Sequence, residues 1–329
     1  MKIRKPLIIV LGEPNSVFIE ILVKVLNKNS TKKKINYPII LIGSKNLILS
    51  QLKFLKKKLI FKVFDEEFIL NNRLKNKIYL IDVMYNFKKP FDVISKKSKY
   101  YISKCFQVGL NLLNNKIGDI IINGPISKKH FLQNKYPGIT EYIFNKSKKK
   151  ISKNPVMLIF NKKFSVSPIT THIPLKIVNK KINRKIIENN ILIINDFYKT
   201  KLGIKPKIAI LGINPHCESG SKFNEEEIII KPVINKLIKK KIEISGPYSA
   251  DTFFLKKNID NYNSVIGMYH DQVLTPFKTI FGFKALNITL GLPYMRMSVD
   301  HGPNEKMIGK NKSNTESLEC IFDFINFIK

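Results

Sequence analysis

The chain has 329 residues, enough for two domains of ordinary size, and no apolar run approaching the ~18 residues of a transmembrane helix, so none is expected. Its formal net charge of +34 is almost all lysine, spread along the whole length beside abundant Ile and Asn, the trio that A/T-rich codons supply. With no RNP-like aromatic motif and no zinc-finger spacing, no specific nucleic-acid site is expected, only loose, salt-sensitive adhesion to polyanions.

The first predicted strand is Lys5–Leu11; no small-residue cleavage site follows it, so no secretory signal is expected. Gly12–Ser16 reads as a turn with a helix cap, Val17–Leu26 as a helix and Tyr37–Ile42 as a second strand. Gly43-Ser44 then leads into another helical stretch. Residues 45–95 are lysine-rich with weak periodicity. Lys99–Asn114 is predicted helical, and Asp119–Ile122 is a short buried strand ending in Asn123-Gly124-Pro125-Ile126-Ser127-Lys128. His130 falls at a lysine-rich helix start and is expected to be exposed. Asn145–Lys153 is either a crossing between domains or an ordinary solvated loop. Strands follow over Phe164–Ile169, Ile208–Ile213 and Ser264–Met268, with helices over Ile182–Tyr198 and Asn224–Lys240. Asn224 opens the latter, with Glu225, Glu226 and Glu227 placed against the positive end of its dipole. Alternating strands and helices imply a largely parallel α/β architecture. No GxGxxG follows the first strand, so a standard Rossmann dinucleotide site is not expected. Cys105, Cys217 and Cys320 are scattered without CxxC spacing; they give no disulfide framework and suit a reducing cytoplasm.

Three of the five histidines sit where a strand gives way to a turn, in Thr170-Thr171-His172-Ile173-Pro174, Asn214-Pro215-His216 and Tyr269-His270-Asp271-Gln272. Strand ends of this kind line the ligand crevice of an open α/β sheet. Three imidazoles delivered to one crevice can bind a divalent metal and leave a position open for substrate. Taken singly, each would read as a hydrogen-bonded structural histidine. His301, in Ser298-Val299-Asp300-His301-Gly302, is expected nearby without an assigned role. Lys278, Asn287 and Arg296 follow within one short segment and suit an anionic, hydrogen-bonding substrate such as a phosphate ester. Arginine is scarce here, so Arg296 reads as kept for its planar fork, the alternative being a chance surface residue. Asp251, read as one of few carboxylates outside a helix, would orient a histidine, contact cofactor or cap a helix.

The motif series Gly12-Glu13-Pro14, Asn123–Lys128, Tyr136-Pro137-Gly138-Ile139-Thr140-Glu141, Thr171–Leu175, Asn214-Pro215-His216, Ala250-Asp251-Thr252, Met268–Gln272, Asn287–Pro293 and Ser298–Gly302 resembles the 4-hydroxythreonine-4-phosphate dehydrogenase family of pyridoxal phosphate synthesis. The likeness runs in order over nearly the whole chain and is densest after residue 205. It implies a cytoplasmic homodimer of two-domain α/β/α subunits related to isocitrate and isopropylmalate dehydrogenases, with mostly parallel sheets. It places one domain at residues 1–140 plus 290–329 and the other at 141–289, with the active site in the cleft between them and shared across the dimer. It implies a divalent metal (zinc, magnesium or cobalt) on His172, His216 and His270, one of them donated across the dimer. Substrate contacts would come from Thr140, Lys278, Asn287 and Arg296, and NAD or NADP would bind without the Rossmann glycines, with Asp251 a candidate contact.

The implied reaction is oxidation of the C3 alcohol of 4-phosphooxy-L-threonine to a β-keto acid, which decarboxylates to 3-amino-2-oxopropyl phosphate. Asp271, or a water on the metal, is the candidate proton acceptor. Two departures stand out. Ile139 replaces the family histidine before Thr-Glu, and Asn15–Ile19 replaces the glycine-rich segment after Gly-Glu-Pro. Losing one hydrogen bond to a charged substrate costs on the order of 1.5–3 kcal/mol. The rival readings are a dehydrogenase of threonate or erythronate 4-phosphate, a metal-dependent hydrolase, and a non-catalytic relative.

Overall fold

The computed structural model describes residues 4–133, 135, 136, 138–147, 154–218, 220 and 224–328; residues 148–153 of the stretch Asn145–Lys153, and Pro137 of the Tyr136–Glu141 motif, lie outside them. The chain divides into two compact units, Met1–Lys150 with Pro293–Lys329, and Ile151–Leu292. The strands are β1 (Leu7–Val10), β2 (Ile39–Gly43), β3 (Lys62–Val63), β4 (Ile78–Asp82), β5 (Ile120–Asn123), β6 (Val156–Phe160), β7 (Ser165–Thr170), β8 (Ile208–Leu211), β9 (Ile244–Tyr248), β10 (Ser264–Tyr269), β11 (Leu286–Leu290) and β12 (Met295–Val299).

The first unit holds a wholly parallel sheet in the order β3-β4-β2-β1-β5-β12. Parallel strands need crossover connections, and the helices that make them cover both faces, so the strands read as continuous apolar runs. Leu7, Ile8, Ile9 and Val10 are 0% exposed, each stabilising the core by roughly 1.5–3 kcal/mol relative to exposure. The helix Lys99–Asn114 packs on β1, β2 and β5, and Glu316–Ile328 packs on β12. The sparse apolar pattern of residues 45–95 resolves into helices Lys45–Phe54 and Glu66–Asn71 and strands β3 and β4, with a long loop to Ser95. Ser44 caps the first helix through the Leu47 N–H, and Asp65 caps the second through Phe68 N–H.

The second unit orders its strands β11-β6-β7-β10-β8-β9. Here β7, β10, β8 and β9 run parallel, and only β6 is reversed, antiparallel to both β7 and β11. Val166, Ala209, Val265, Val273 and Phe277, all 0% exposed, lie in one core cluster joining β7, β8, β10 and the helix His270–Phe281. The architecture is thus the mostly parallel α/β one expected from the sequence. The predicted helix Asn224–Lys240 is not uniform: a wide turn over Glu226–Ile230 precedes a regular helix at Lys231–Lys239. Pro232 has no N–H to offer the Ile228 carbonyl one turn back, and that carbonyl accepts instead from Nε and Nη2 of Arg184 at 2.9 and 2.6 Å. Asp251, expected outside a helix, lies in the first turn of the short helix Ala250–Phe253. His130, expected to be exposed, is half-buried, with Nδ1 enclosed and, among the described residues, without a hydrogen-bond partner. Among the described residues no helix is long and apolar enough to cross a membrane.

The turn after β1 is tightly built. Gly12 has φ +76°, and a Cβ there would stand 2.7 Å from the Pro125 carbonyl oxygen, so the position admits only glycine. Ser16 Oγ donates to the Glu13 carbonyl at 2.7 Å and accepts from Phe18 N–H at 3.3 Å, although Val17 takes the cap position. The Glu13 carboxyl, 2% exposed, accepts from Ser98 Oγ at 3.0 Å and from Asn15 N–H at 3.4 Å. Burial outweighs these bonds and pushes Glu13 up to about 7, with Glu305 adding in the same direction. Its contribution to stability is therefore complete below the ordinary glutamate value of 4.5 and lost as pH rises through about 7. Glu13→Gln should flatten this decline. Melting curves recorded from pH 5 to pH 8 should show a smaller fall for the variant than for the parent, and parallel falls would disprove it.

Candidate active site

His172 and His270 are delivered by neighbouring strands, β7 and β10, two residues and one residue beyond their last members. Their rings lie 5.6 Å apart, centre to centre. Two imidazoles on one tetrahedral zinc, through bonds of about 2.0–2.1 Å, place their ring centres roughly 5 Å apart, so this pair fits a shared ion. Nδ1 of His270 lies 2.7 Å from Oδ1 of Asp271. A carboxylate on one ring nitrogen fixes the tautomer and leaves Nε2 as the ligating atom. Asp271, singled out in the sequence as a proton acceptor, is thus engaged with His270 while its side chain stays 80% exposed.

His216 follows β8 in the turn Asn214–Cys217, and both His216 (φ 55°) and Cys217 (φ 61°) take left-handed backbone conformations. Such angles in non-glycine residues cost on the order of 1–3 kcal/mol each and persist only where neighbours hold them. The holding residue is Glu226, 0% exposed, whose Oε1 accepts from Ile213 N–H at 2.7 Å and Asn214 N–H at 2.9 Å. Its Oε2 accepts from Asn214 Nδ2 at 2.8 Å, and Glu225 accepts from the same amide at 3.0 Å. Burial acts to raise the Glu226 carboxyl, but the donors from Asn214 and Ile213 keep it below the usual glutamate value. His216 does not join the pair within one chain: among the described residues no three His, Cys, Asp or Glu side chains are grouped to hold an ion. It lies close enough to Asp251 to help depress that carboxyl, which the Ser249 hydroxyl lowers most and Thr252 N–H lowers further.

Lys278, half-buried, sits two turns along the helix His270–Phe281. Asn287 is on β11, its Oδ1 enclosed with no hydrogen-bond partner among the described residues.

In the first unit the sequence-predicted Thr140 and Arg296 are brought together. Arg296 lies on β12, 2% exposed, and is no surface residue. Its Nε donates to Asn123 Oδ1 at 2.7 Å and its Nη1 to Thr140 Oγ1 at 3.3 Å. Burial lowers the guanidinium to about 10, against the opposing charge of Glu141, whose Oε2 is enclosed without a hydrogen-bond partner among the described residues. Thr140 and Glu141 come from the helix Ile139–Lys146, and Asn123 ends β5 beside β12 in parallel register. Ile139, half-buried, opens that helix. His301 makes a local bond, Nδ1 to the Gly302 carbonyl at 2.9 Å.

Sequence reasoning missed Asn123 as a partner of Arg296, Glu226 as the anchor of the His216 turn and Gln272 as a buried bridge. The signals were present: an amide closing a strand, the middle one of three glutamates in a helix start and a glutamine two residues from a histidine. None of the three distinguishes a buried role from an exposed one.

The chain matches the model of the pyridoxal phosphate biosynthetic protein PdxA family over residues 34–324. A 4-hydroxythreonine-4-phosphate dehydrogenase of a Sulfurihydrogenibium species is 38% identical over 316 residues, covering 94% of each chain. That of Neisseria meningitidis is 30% identical over 284 residues, covering 84% of this chain and 85% of its own. The crystal structure of a 4-hydroxythreonine-4-phosphate dehydrogenase from Burkholderia phymatum superposes with a TM-score of 0.75 at 25% identity, covering 98% of both chains.

Asn123→Leu should remove the acceptor that Asn123 Oδ1 offers to the buried Nε of Arg296 and destabilise the chain by about 1.5–3 kcal/mol. The double variant with Arg296→Met should lose less than that single variant, because both polar partners are then gone. Urea unfolding measures both, and additive losses would disprove the pairing.

Proposed function

Because the chain belongs to the PdxA family of pyridoxal phosphate biosynthetic proteins, we propose that it is a cytoplasmic, NAD- or NADP-dependent dehydrogenase of 4-phosphooxy-L-threonine, working as a homodimer. The observation that carries this reading is the His172–His270 pair, with rings 5.6 Å apart at the ends of adjacent strands. Together with His216 these are the residues that would hold a divalent ion (zinc, magnesium or cobalt), one of the three supplied by the second copy. The ion would make the substrate hydroxyl more acidic and stabilise negative charge on its oxygen. A bound NAD(P) would supply the hydride acceptor, so that oxidation of the secondary alcohol to a ketone balances with reduction to NAD(P)H and release of one proton. The resulting β-keto acid then loses carbon dioxide to give 3-amino-2-oxopropyl phosphate.

The chain's own residues bind and orient. Arg296, with Thr140 beside it, is assigned to the substrate's anionic groups, its buried guanidinium less masked by solvent than an exposed one. Lys278 is assigned as a second cation and Asn287 as a hydrogen-bonding amide. Asp271 orients His270, and Asp251 is assigned to the cofactor side, near His216. One feature favours a second substrate. Ile139 stands beside Thr140 and has no side-chain hydrogen-bonding group to offer a substrate, which makes threonate or erythronate 4-phosphate the second reading to test.

The test is NADH absorbance with 4-phosphooxy-L-threonine, with and without added zinc, magnesium or cobalt, run beside threonate and erythronate 4-phosphates. Metal-stimulated NADH formation is expected, highest on the amino-acid substrate; faster turnover of the hydroxy acids would shift the assignment to them. His216→Ala should abolish the metal-dependent rate, and near-normal turnover after chelation would refute a role for the ion. Arg296→Lys loses the fork and puts an ammonium where burial disfavours charge, and kcat/KM should fall by about 10- to 150-fold, corresponding to 1.5–3 kcal/mol. A loss under threefold would remove Arg296 from the substrate site.

A further inference from the structure

The three strand ends that carry the histidines are laced together by side chains to which the reaction gives no task. Thr170 Oγ1, at the end of β7, donates to the Met268 carbonyl of β10 at 2.7 Å. Met268 N–H in turn donates to Gln272 Oε1 at 2.6 Å, and Gln272 Nε2 donates to the Gly212 carbonyl just beyond β8 at 2.7 Å. The next two N–H groups after Gly212 are those held by Glu226. Thr170, Met268, Gln272 and Glu226 are all buried, at 7, 0, 8 and 0% exposure. The chain around them is shaped to admit these groups. A Cβ on Gly267 would stand 2.8 Å from Gln272 Oε1, and one on Gly212 would stand 2.9 Å from Glu226 Oε1.

We infer that Gln272, acting with Glu226, is a positioning residue that clamps the exits of β8 and β10 and thereby sets where His216 and His270 present their imidazoles. A glutamine spanning from a backbone N–H on one strand to a carbonyl on another uses both ends of its amide. No apolar side chain can replace it without leaving two buried backbone groups unpaired. Glu226 fixes the remaining freedom, the left-handed turn at His216. The inference rests on the reading of His172, His216 and His270 as metal ligands, deepens it, and fails separately from it.

The test is cobalt(II) titration of the purified full-length protein, followed by the visible absorption bands of the bound ion, with circular dichroism to verify folding. Parent protein should bind and give a fixed band pattern. Gln272→Leu should bind cobalt about 10- to 100-fold more weakly, with shifted bands, and Glu226→Gln, which keeps shape and one acceptor, should lose less than Glu226→Ala. Cobalt affinity and spectrum equal to the parent's in Gln272→Leu and Glu226→Ala, with His270→Ala having lost both, would overturn the inference. Should Gln272→Leu not fold, parent-like affinity and bands in Glu226→Ala would overturn it alone. If His172→Ala and His270→Ala bind cobalt as the parent does, the ligand assignment itself fails.

Discussion

Parallel strands enclosed on both faces leave backbone N–H and carbonyl groups at their carboxyl ends that water cannot reach, and these groups must find partners inside the protein. In the second unit Thr170, Gln272 and Glu226 supply those partners at the ends of β7, β8 and β10. In the first unit Asn123, ending β5, takes the charge of Arg296 on β12. Thr170 and Gln272 stand two residues from His172 and His270, Asn123 bonds Arg296 directly, and Glu226 holds the N–H groups two and three residues before His216. Satisfying the backbone and placing the chemistry are therefore one structural problem, solved by one set of residues.

That economy explains why the strained conformation at His216 can persist. A turn with two successive left-handed non-glycine residues would relax if its flanking N–H groups were free to choose water. Here the N–H groups of Ile213 and Asn214 are committed to a carboxylate that is itself 0% exposed. The same logic governs Gly12, where the only residue that fits lets the loop carrying Glu13 sit against Gly124 and Pro125.

Much of the fold was legible in the sequence because its strands are short, continuous apolar runs bounded by Gly, Pro and Asn. Lys99–Asn114 was placed to the residue, and β1, β2, β5, β7, β8 and β10 to within two. What escaped has a physical reason in each case. The elements between residues 45 and 95 are partly exposed and lysine-bearing, so their periodicity is faint. The break inside Asn224–Lys240 depends on Arg184, forty-four residues away, accepting the role that Pro232 vacates. Asp251 went unread as helical because Ala250–Phe253 is a single turn, too short for any periodic signal. At the site, residue types announced the candidate ligands. The buried supports could not be read, since a glutamine or glutamate in sequence carries no mark of whether its partners are solvent or strand ends.

Composition sharpens the part that arginine plays. In a chain with 58 basic residues only four are arginine. Two of the four make contacts that an ammonium cannot reproduce: Arg184 gives two N–H groups to one carbonyl, and Arg296 gives its Nε and Nη1 to two different acceptors from a site 2% exposed. A lysine at position 296 would present a single, strongly hydrated charge in a space that offers it no water. Desolvation already lowers the arginine to about 10, and an ammonium starts from a lower value, so it would be far easier to neutralise there. Keeping a permanent positive charge at this buried strand position therefore requires a guanidinium, which is the property an anion-binding residue needs.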